Sequence, residues 1–229
     1  MSTPSSPSLS REAYHVVRHR ILRGELQLGQ MISRRKLASE LGMSFLPVSE
    51  ALLRLEVEGL LESRPRAGTR VRIPSPEELA GHYVVREALE TQAARLFAET
   101  STAEERAQML VLAQQVDAAA GGGRAEYLTL HEKLHRRIAE LARCATLSAA
   151  VAHEHALAST WMCVGRGATP GIQRHQRLVE MLSVNDPSTA AEAMRAHIRE
   201  KQQMALDRLA PYFDHRNASY TRGARTLVG

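Results

Sequence analysis

The sequence is poor in aromatic residues, in cysteine and in long apolar runs, and each shortage excludes a class of protein. Its 229 residues include one Trp, three Phe and five Tyr. The two cysteines, Cys144 and Cys163, are too few for a disulfide framework and indicate a reduced compartment. No apolar run reaches about 18 residues, so no membrane span is expected. Met1–Ser10 lacks a signal-peptide pattern, and we therefore expect a cytoplasmic protein that does not enter a membrane.

The positive charge is concentrated in the first third of the chain. Residues 1–75 hold 12 Lys and Arg against 7 Asp and Glu, whereas the rest of the chain holds 18 of each. A basic segment joined to a neutral one is typical of a nucleic-acid-binding domain followed by a domain with another task. An excess of this size also arises by chance, so charge alone leaves the interpretation open.

Two closely spaced prolines, Pro74 and Pro76, predict a domain boundary, because neither a helix nor a central strand runs easily through them. Short helices and a hairpin are predicted before this point, and helices alone after it. The predicted division is a disordered N-terminus over 1–9, a DNA-binding domain over 10–74, a helical domain over 75–212 and a C-terminal tail over 213–229.

The first domain shows the pattern of a winged helix-turn-helix. Apolar residues at helical spacing predict one helix over Arg11–Arg23, a second that is capped by Ser33 and a third over Ser44–Glu58. Gly42 supplies the turn between the second and the third helix. Two strands, Leu60–Ser63 and Thr69–Ile73, would then form the wing.

The second domain is predicted to be an all-α bundle of about six helices, which makes the whole chain mainly α. A Gly-rich connection at 121–123 and the turn before Pro187 separate neighbouring helices. The predicted spans are 76–99, 102–120, 124–142, 145–163, 171–185 and 188–210.

These segments together resemble the GntR family of bacterial regulators. The resemblance rests on Gly24-Glu-Leu-Gln-Leu-Gly29, on the helix pair over 33–52 and on Arg64-Pro-Arg-Ala-Gly68. The second part, with Val85-Arg-Glu-Ala-Leu-Glu90 on its first helix, resembles that family's FadR/VanR-type ligand-binding domain, also called FCD. Six helices favour the VanR-like form. The resemblance implies a homodimeric DNA-binding transcription regulator, by default a repressor, which responds to a small organic acid or a similar metabolite.

The family's third helix lies in the major groove of double-stranded operator DNA and typically has arginines where this chain has Phe45 and Ser49. Neither residue can donate two hydrogen bonds to one guanine, as arginine does. Phe45 is suited to a thymine methyl group, and Ser49 to a phosphate or a base edge. The alternative is that the nearby arginines are ordinary surface residues that contact only water. The residues expected at the DNA are Arg34, Arg35, Ser44, Phe45, Leu46, Pro47, Ser49, Arg66 and Gly68.

Four histidines have the spacing of a metal site. His131 and His135 share one face of a predicted helix, and His175 and His197 lie on two later helices of the bundle. The family's metal-binding members use an Asp and then three His at these positions, so His131 replaces the Asp. An all-nitrogen set favours zinc, or nickel, over Mn, Mg or Ca. The alternative is a set of core histidines that are satisfied by hydrogen bonds.

Other polar residues are weaker candidates. Arg86 and Glu90 match the family's Arg-x-x-x-Glu and are expected near the effector, although an ordinary i, i+4 ion pair would also explain them. Further effector candidates are Arg137, Trp161 and Arg166. His153 and His155 are two residues apart and do not share a helix face, so we interpret them as surface or helix-interface residues.

A zinc-dependent hydrolase or peptidase is the rival interpretation of the same region. The segment His131-Glu-Lys-Leu-His135 matches the H-E-x-x-H motif, in which two histidines bind zinc and the glutamate activates water. Glu132 would then be the general base. The DNA-binding pattern before it and the lack of a completing downstream motif favour the regulator, and we expect no enzyme activity.

Overall fold

The computed structural model describes residues 6–64, 68–121, 124–164 and 175–224. Within these ranges the chain forms nine helices and three short strands, and this confirms the mainly α prediction. It divides into two compact units, a first built mainly on residues before Pro74 and a second on Pro74–Met162 and 166–213. Arg66 and Arg166 lie outside the described residues. None of the described helices is long and apolar enough to cross a membrane.

The first unit is a winged helix-turn-helix, as predicted. Its strands form one antiparallel sheet in the order β1-β3-β2, and Arg64 pairs with Gly68 next to the wing tip. The elements are α1 Ser6–Leu22, β1 Met31–Ile32, α2 Arg34–Leu41, α3 Phe45–Val57, β2 Leu61–Arg64 and β3 Gly68–Val71.

The core of the first unit lies between α1 and α3. Val17 and Ile21 of α1 are fully buried, as are Val48, Leu52 and Leu55 of α3. Each buried aliphatic side chain stabilises the unit by about 1.5–3 kcal/mol relative to an exposed one. This apolar face fixes α3 from the inside and leaves its opposite face to solvent.

The turn before α3 depends on Gly42. Its φ of +62° is left-handed, and its backbone N–H donates to the carbonyls of the last turn of α2. Ser33 caps α2, because its hydroxyl accepts a hydrogen bond from the Lys36 backbone N–H. Ser44 occupies the N-cap position of α3, but the expected side-chain capping bond is not formed.

Two features of the first unit differ from the prediction. Helix α1 begins at Ser6 rather than Arg11, since the Ser/Pro-rich start tolerates the first turn of a helix, where missing N–H donors cost little. The strand β1 was not predicted, because two residues are too short to show any alternation.

The second unit contains the six predicted helices, which confirms that part of the fold. They are α4 Pro76–Thr100, α5 Ala103–Ala119, α6 Arg124–Leu141, α7 Ala145–Val164, α8 His175–Leu182 and α9 Pro187–Ala224.

Side chains at the helix starts explain several of these boundaries. Ser75 and Glu78 form a capping box at the start of α4, and Thr102 and Glu105 form another at α5. The carboxylate of Asp186 accepts two backbone N–H groups at the start of α9. Such caps satisfy donors that have no partner inside the helix.

Helix α9 runs through Pro211 to Ala224, so its predicted end at 210 is wrong. A proline inside a helix removes one backbone hydrogen bond and crowds the preceding turn. Pro211 lies on an exposed side of the helix, where water can bind the carbonyl that loses its partner.

Arg106 joins the ends of three helices in the second unit. From α5, its guanidinium donates to the hydroxyl and the carbonyl of Ser101, to the Ala98 carbonyl in the last turn of α4, and to the Ser183 carbonyl after α8. The four distances lie between 2.9 and 3.1 Å. One cation thus satisfies carbonyls at the ends of α4 and α8.

We expect Arg106→Met to lower the free energy of unfolding by about 2 kcal/mol, because carbonyls lose a charged donor. Arg95→Met is the matched control, since Arg95 makes only an exposed ion pair with Glu99 at 3.5 Å. The control should cost about 0.5 kcal/mol or less. Fluorescence of Trp161, the single tryptophan, reports unfolding of this unit in denaturant. Equal losses of unfolding free energy in the two variants would contradict the stabilising role that we assign to the hydrogen bonds of Arg106.

Candidate metal centre and nucleic-acid interface

The four histidines that the sequence singled out come together in the second unit. His131 and His135 lie one turn apart on α6, His175 is the first residue of α8, and His197 lies on α9. One ring nitrogen from each lies within 4.8 Å of the other three. His131, His135 and His175 are buried, and His197 is half-buried.

Two carboxylates fix the orientation of two of these rings. The Nδ1 atom of His135 lies 2.5 Å from Glu90 Oε2, and the Nδ1 atom of His175 lies 2.8 Å from Asp117 Oδ1. When a carboxylate accepts a hydrogen bond from Nδ1, the proton stays there and the lone pair stays on Nε2. This carboxylate–histidine arrangement is typical of the partners that orient metal ligands.

The opposite ring nitrogens of this group lack a hydrogen-bond partner among the described residues. The Nε2 atoms of His135, His175 and His197 are buried and make no hydrogen bond to any residue that the structure describes. Core histidines are normally satisfied by hydrogen bonds, so this arrangement disfavours a purely structural role. Three such nitrogens that converge with a fourth His fit a zinc-type ligand set.

Burial favours the neutral form of His131, His175 and His197. It lowers the pKa of His131 and His197 well below the usual value, and the neighbouring histidines lower both further. Burial also lowers the pKa of His175, and its hydrogen bond to Asp117 only partly opposes this. Neutral imidazole is the form that binds a metal, so the ligands need not release protons first.

Asp117 has a second task at the start of α8. Its Oδ1 atom accepts the backbone N–H of His175 at 3.1 Å, and its Oδ2 atom accepts that of Gln176 at 2.9 Å. Burial alone would raise the pKa of Asp117, but the hydrogen bonds from His175 and Gln176 hold it below the usual value. The same carboxylate therefore starts the helix and orients the ligand that the helix presents.

His155 lies at a helix interface next to this cluster, which is one of the two interpretations given for it, and it is not a surface residue. The side chain is buried, and its ring centre lies 4.6 Å from that of His135 and 5.1 Å from that of His131. His153 is exposed, as two residues on different faces of one helix would be. In the sequence, Val151 could have indicated that His155 is buried and His153 is not, because this apolar residue lies one turn before His155 on the same helix face.

Glu90, His135 and His155 form a second group of possible ligands. Arg86 makes this group unsuited to a dication, because its Nε donates to Glu90 Oε1 at 2.7 Å and both side chains are only 3% exposed. Although burial would raise the pKa of Glu90, the charge of Arg86 and the contact with His135 hold it well below its usual value. The predicted i, i+4 ion pair between Arg86 and Glu90 is thus formed.

The remaining effector candidates lie in different surroundings. Trp161 is buried, with its ring centre 5.0 Å from that of His82, and His82 in turn contacts Glu154 at 2.7 Å. Arg137 has a half-exposed side chain that donates to Glu140 at 3.1 Å. It lies two places after His135 and so points away from the face that His135 shares with His131, and its assignment to the effector stays a prediction.

The glutamate of the H-E-x-x-H segment is not part of either ligand group. Glu132 follows His131 directly on α6 and is half-buried, whereas both groups of possible ligands in the described chain consist of other residues. On a helix, adjacent residues point about 100° apart, so the motif alone does not place its glutamate at the metal.

In the first unit, α3 presents an apolar N-terminal end to solvent. Phe45 and Leu46 are 53% and 61% exposed. Pro47 is buried and supports the helix from inside, so it lacks an exposed surface for the predicted DNA contact. The Ser49 hydroxyl donates to the Phe45 carbonyl at 2.9 Å, and this satisfies a helix acceptor.

The other described candidates for DNA contact lie on α2, at the start of α3 and on the wing. Arg35 is exposed on α2, and Ser44 is exposed at the start of α3. Arg34 donates to the Thr69 hydroxyl of β3 at 3.2 Å and so ties α2 to the wing. Gly68 begins β3 with a φ of +86°, which other residues rarely adopt.

Comparison with known proteins agrees with this architecture. The family described as "Bacterial regulatory proteins, gntR family" matches residues 9–71, and the "FCD domain" matches residues 82–200. The chain is 33% identical over 186 residues to the "Probable D-xylose utilization operon transcriptional repressor" of Paenarthrobacter nicotinovorans, covering 78% of this chain and 80% of the relative. It is 23% identical to the transcriptional repressor RspR of Escherichia coli K12, covering 86% and 88%.

Solved structures show the same fold. A GntR regulator from Rhodococcus sp. RHA1 matches with a TM-score of 0.73 at 19% identity, covering 87% of this chain and 98% of that one. McbR/YncC of E. coli matches with a TM-score of 0.69 at 20% identity, covering 93% and 100%. The chain therefore belongs to the GntR family of bacterial transcription regulators and carries an FCD domain in its C-terminal part.

Proposed function

We propose that this protein is a homodimeric repressor, and that a metal in its FCD domain takes part in sensing a small organic acid. The observation that carries the metal proposal is the convergence of three buried Nε2 atoms without a hydrogen-bond partner among the described residues. A buried polar atom without a partner destabilises the fold, and metal coordination removes that cost. Repression is supported by two relatives that are themselves named repressors.

Zinc fits this ligand set best, and nickel is the alternative. Four neutral imidazoles suit both ions, whereas Mg, Ca and Mn prefer oxygen ligands. A zinc ion bound there would supply a Lewis-acidic centre that can hold a carboxylate oxygen. The ligands would be His131, His135, His175 and His197, with Glu90 and Asp117 orienting two of them.

The first unit would bind the operator through α3. In a homodimer, two such helices reach half-sites about 34 Å apart, one turn of DNA. Arg35 is placed to contact a phosphate, which gives affinity without sequence preference. Phe45 and Leu46 are suited to apolar contacts with the C5-methyl groups of thymine, which are exposed only in the major groove.

The effector controls operator binding if it binds one arrangement of the dimer more tightly than the other. The population then shifts towards the arrangement whose α3 spacing no longer fits the operator. An effector with equal affinity for both arrangements would change nothing. The differential affinity therefore has to arise in the FCD domain.

Removal of one ligand tests the metal proposal. We expect about one zinc per chain in the purified protein and a large loss in His175→Ala, because three nitrogens remain where four are needed. His153→Ala is the matched control, since His153 is exposed and outside the cluster. Elemental analysis after dialysis against a weak chelator measures both. Equal zinc in His175→Ala and the wild type would exclude this site.

Substitution of an orienting carboxylate tests how the site is built. We expect Asp117→Asn to bind zinc about 10- to 100-fold more weakly, because a neutral amide accepts the Nδ1–H of His175 less strongly than a carboxylate and can also turn its NH2 group towards the ring. Asp186→Asn makes the same change at the helix cap of α9, remote in sequence from any proposed ligand. Competition with a fluorescent zinc chelator gives both affinities. Equal weakening in the two variants would assign the effect of Asp117 to helix capping alone.

The base-reading proposal can be tested with modified DNA. The operator is first obtained by selecting genomic fragments with the purified protein, and its thymines are then replaced by uracil, which lacks only the C5-methyl group. We expect the wild type to bind the uracil probe about 10-fold more weakly, a discrimination of 1–3 kcal/mol. Phe45→Ala should bind both probes equally weakly in a gel shift at fixed salt.

Arg35→Ala provides the internal control for this experiment. It should weaken binding to both probes by a similar factor and reduce the salt dependence by about one charge, because a phosphate contact carries no sequence information. A wild type that does not distinguish thymine from uracil would exclude methyl reading by Phe45. Unchanged affinity in Arg35→Ala would exclude the phosphate contact.

A further inference from the structure

Four polar side chains of the first unit form a continuous chain from α2 across the wing to α3. Thr69 of β3 is only 3% exposed, and a buried hydroxyl needs hydrogen-bond partners. Its Oγ1 atom lies 3.2 Å from a guanidinium nitrogen of Arg34 on α2 and 2.9 Å from the Oγ atom of Ser63 on β2. The Ser63 Oγ atom in turn lies 2.8 Å from Oε2 of Glu56, near the end of α3. We call these four side chains the wing network.

The direction of each hydrogen bond in the wing network follows from what its two ends can do. Glu56, as a carboxylate, only accepts, so it takes the single hydroxyl hydrogen of Ser63 and also the Ser63 backbone N–H at 3.0 Å. Ser63 then has no hydroxyl hydrogen left, so the Thr69 hydroxyl donates to Ser63 Oγ. Arg34 only donates, and it completes the chain at the Thr69 oxygen. One order results, from the cation through two hydroxyls to the carboxylate.

The opposite charges at the two ends strengthen the bonds between them. Each hydroxyl that donates towards the carboxylate becomes a better acceptor for the donor behind it, because each bond polarises the next. Bonds that involve a charged group are also stronger than bonds between neutral groups. Loss of the Thr69 hydroxyl would break the chain in its middle and leave Arg34 and Ser63 each with one partner fewer. The wing network therefore joins α2, β3, β2 and α3 as one unit.

The wing network lies on the inner face of the wing, and two arginines lie on the outer face. Ser63 and Thr69 are paired across β2 and β3, and Glu62 is paired with Arg70 one position along. Successive residues of a strand point to opposite faces. Arg64 and Arg70 accordingly both contact Glu62 on the outer face. The contacts on the inner face thus determine where the arginines of the wing lie relative to α3.

Arg34 and Arg35 differ in what they can reach. Arg34 is half-buried, and it holds Thr69 inside the unit, whereas Arg35 is exposed. The first position suits a link between elements, and the second suits a phosphate. Apolar contacts such as those of the buried Leu61 and Val71 add stability but are not directional, so hydrogen bonds are needed to fix the orientation of the wing.

We propose that the wing network positions α2 and the wing against α3 for operator binding, and that Arg34, Ser63 and Thr69 act as positioning residues rather than as contacts to DNA. This inference deepens the proposed function and rests on it for the binding of operator DNA by the first unit. Phosphate contacts from α2 and the wing form together with base contacts from α3 only in one arrangement of the three elements. A protein that already holds this arrangement loses less conformational freedom on binding.

Thr69→Val tests the inference, because valine has nearly the shape of threonine but no hydroxyl. We expect full-length Thr69→Val to bind the selected operator about tenfold more weakly. The salt dependence of its affinity should fall by about one charge per chain, because a phosphate contact of α2 or the wing is lost. Fluorescence anisotropy with labelled operator at several salt concentrations measures both, at a temperature at which circular dichroism shows every variant to be folded.

Two variants separate positioning from stability. Thr69→Ser keeps the hydroxyl and should retain most of the affinity of the wild type. Tyr14→Phe removes a different side-chain hydrogen bond of the same unit, the 2.7 Å bond from the Tyr14 hydroxyl to Glu58, which lies outside the wing network. It should lower the melting temperature but leave operator affinity and its salt dependence unchanged in the folded protein.

A double-mutant cycle tests the role of Arg34. If Arg34 acts through Thr69, Arg34→Met weakens binding in the wild type but has little further effect in Thr69→Val, because the chain is already broken there. If Arg34 contacts DNA itself, the two factors multiply in the double variant, and this would overturn the role that we assign to Arg34. The cycle is measured at the highest salt that still allows binding, where long-range attraction is screened.

Three outcomes would overturn the inference as a whole. The first is equal operator affinity in Thr69→Val and the wild type. The second is a weaker affinity with an unchanged salt dependence, because no phosphate contact would then have been lost. The third is a loss in Tyr14→Phe as large as that in Thr69→Val. Failure of the proposed function looks different, since the wild type itself would then select no DNA.

Discussion

Two hydrogen bonds between buried imidazoles and carboxylates determine how the FCD domain is organised around its centre. Glu90 fixes His135, and Asp117 fixes His175, so that in both rings the free nitrogen faces the cluster. Asp117 also accepts the first backbone N–H groups of α8. The start of this helix and the position of its ligand therefore depend on one carboxylate, and neither can form correctly without the other.

The charge balance of the interior follows from these contacts. Glu90 is neutralised by Arg86, so it contributes no net negative charge to the centre. In the family's pattern an aspartate stands where this chain has His131, and its replacement removes the remaining acidic ligand. Asp117, which contacts His175, would offset only part of the charge of a dication held by the four imidazoles, and uncompensated charge is costly in a dry environment. An anionic ligand beside His197 would reduce that cost, so the all-nitrogen set and a carboxylate effector are physically consistent with each other.

The sequence predicted the fold and most of the cluster, because helical periodicity and i, i+4 spacing are local signals. His131 and His135 follow from spacing, whereas His175 and His197 required the resemblance to a family. The burial of His155 could not be predicted in the same way. Its position depends on how α7 packs against α6, and a single polar residue in a helix does not reveal which face it occupies. The burial of Pro47 was missed for the same reason, because the inward face of α3 is set by packing within the first unit.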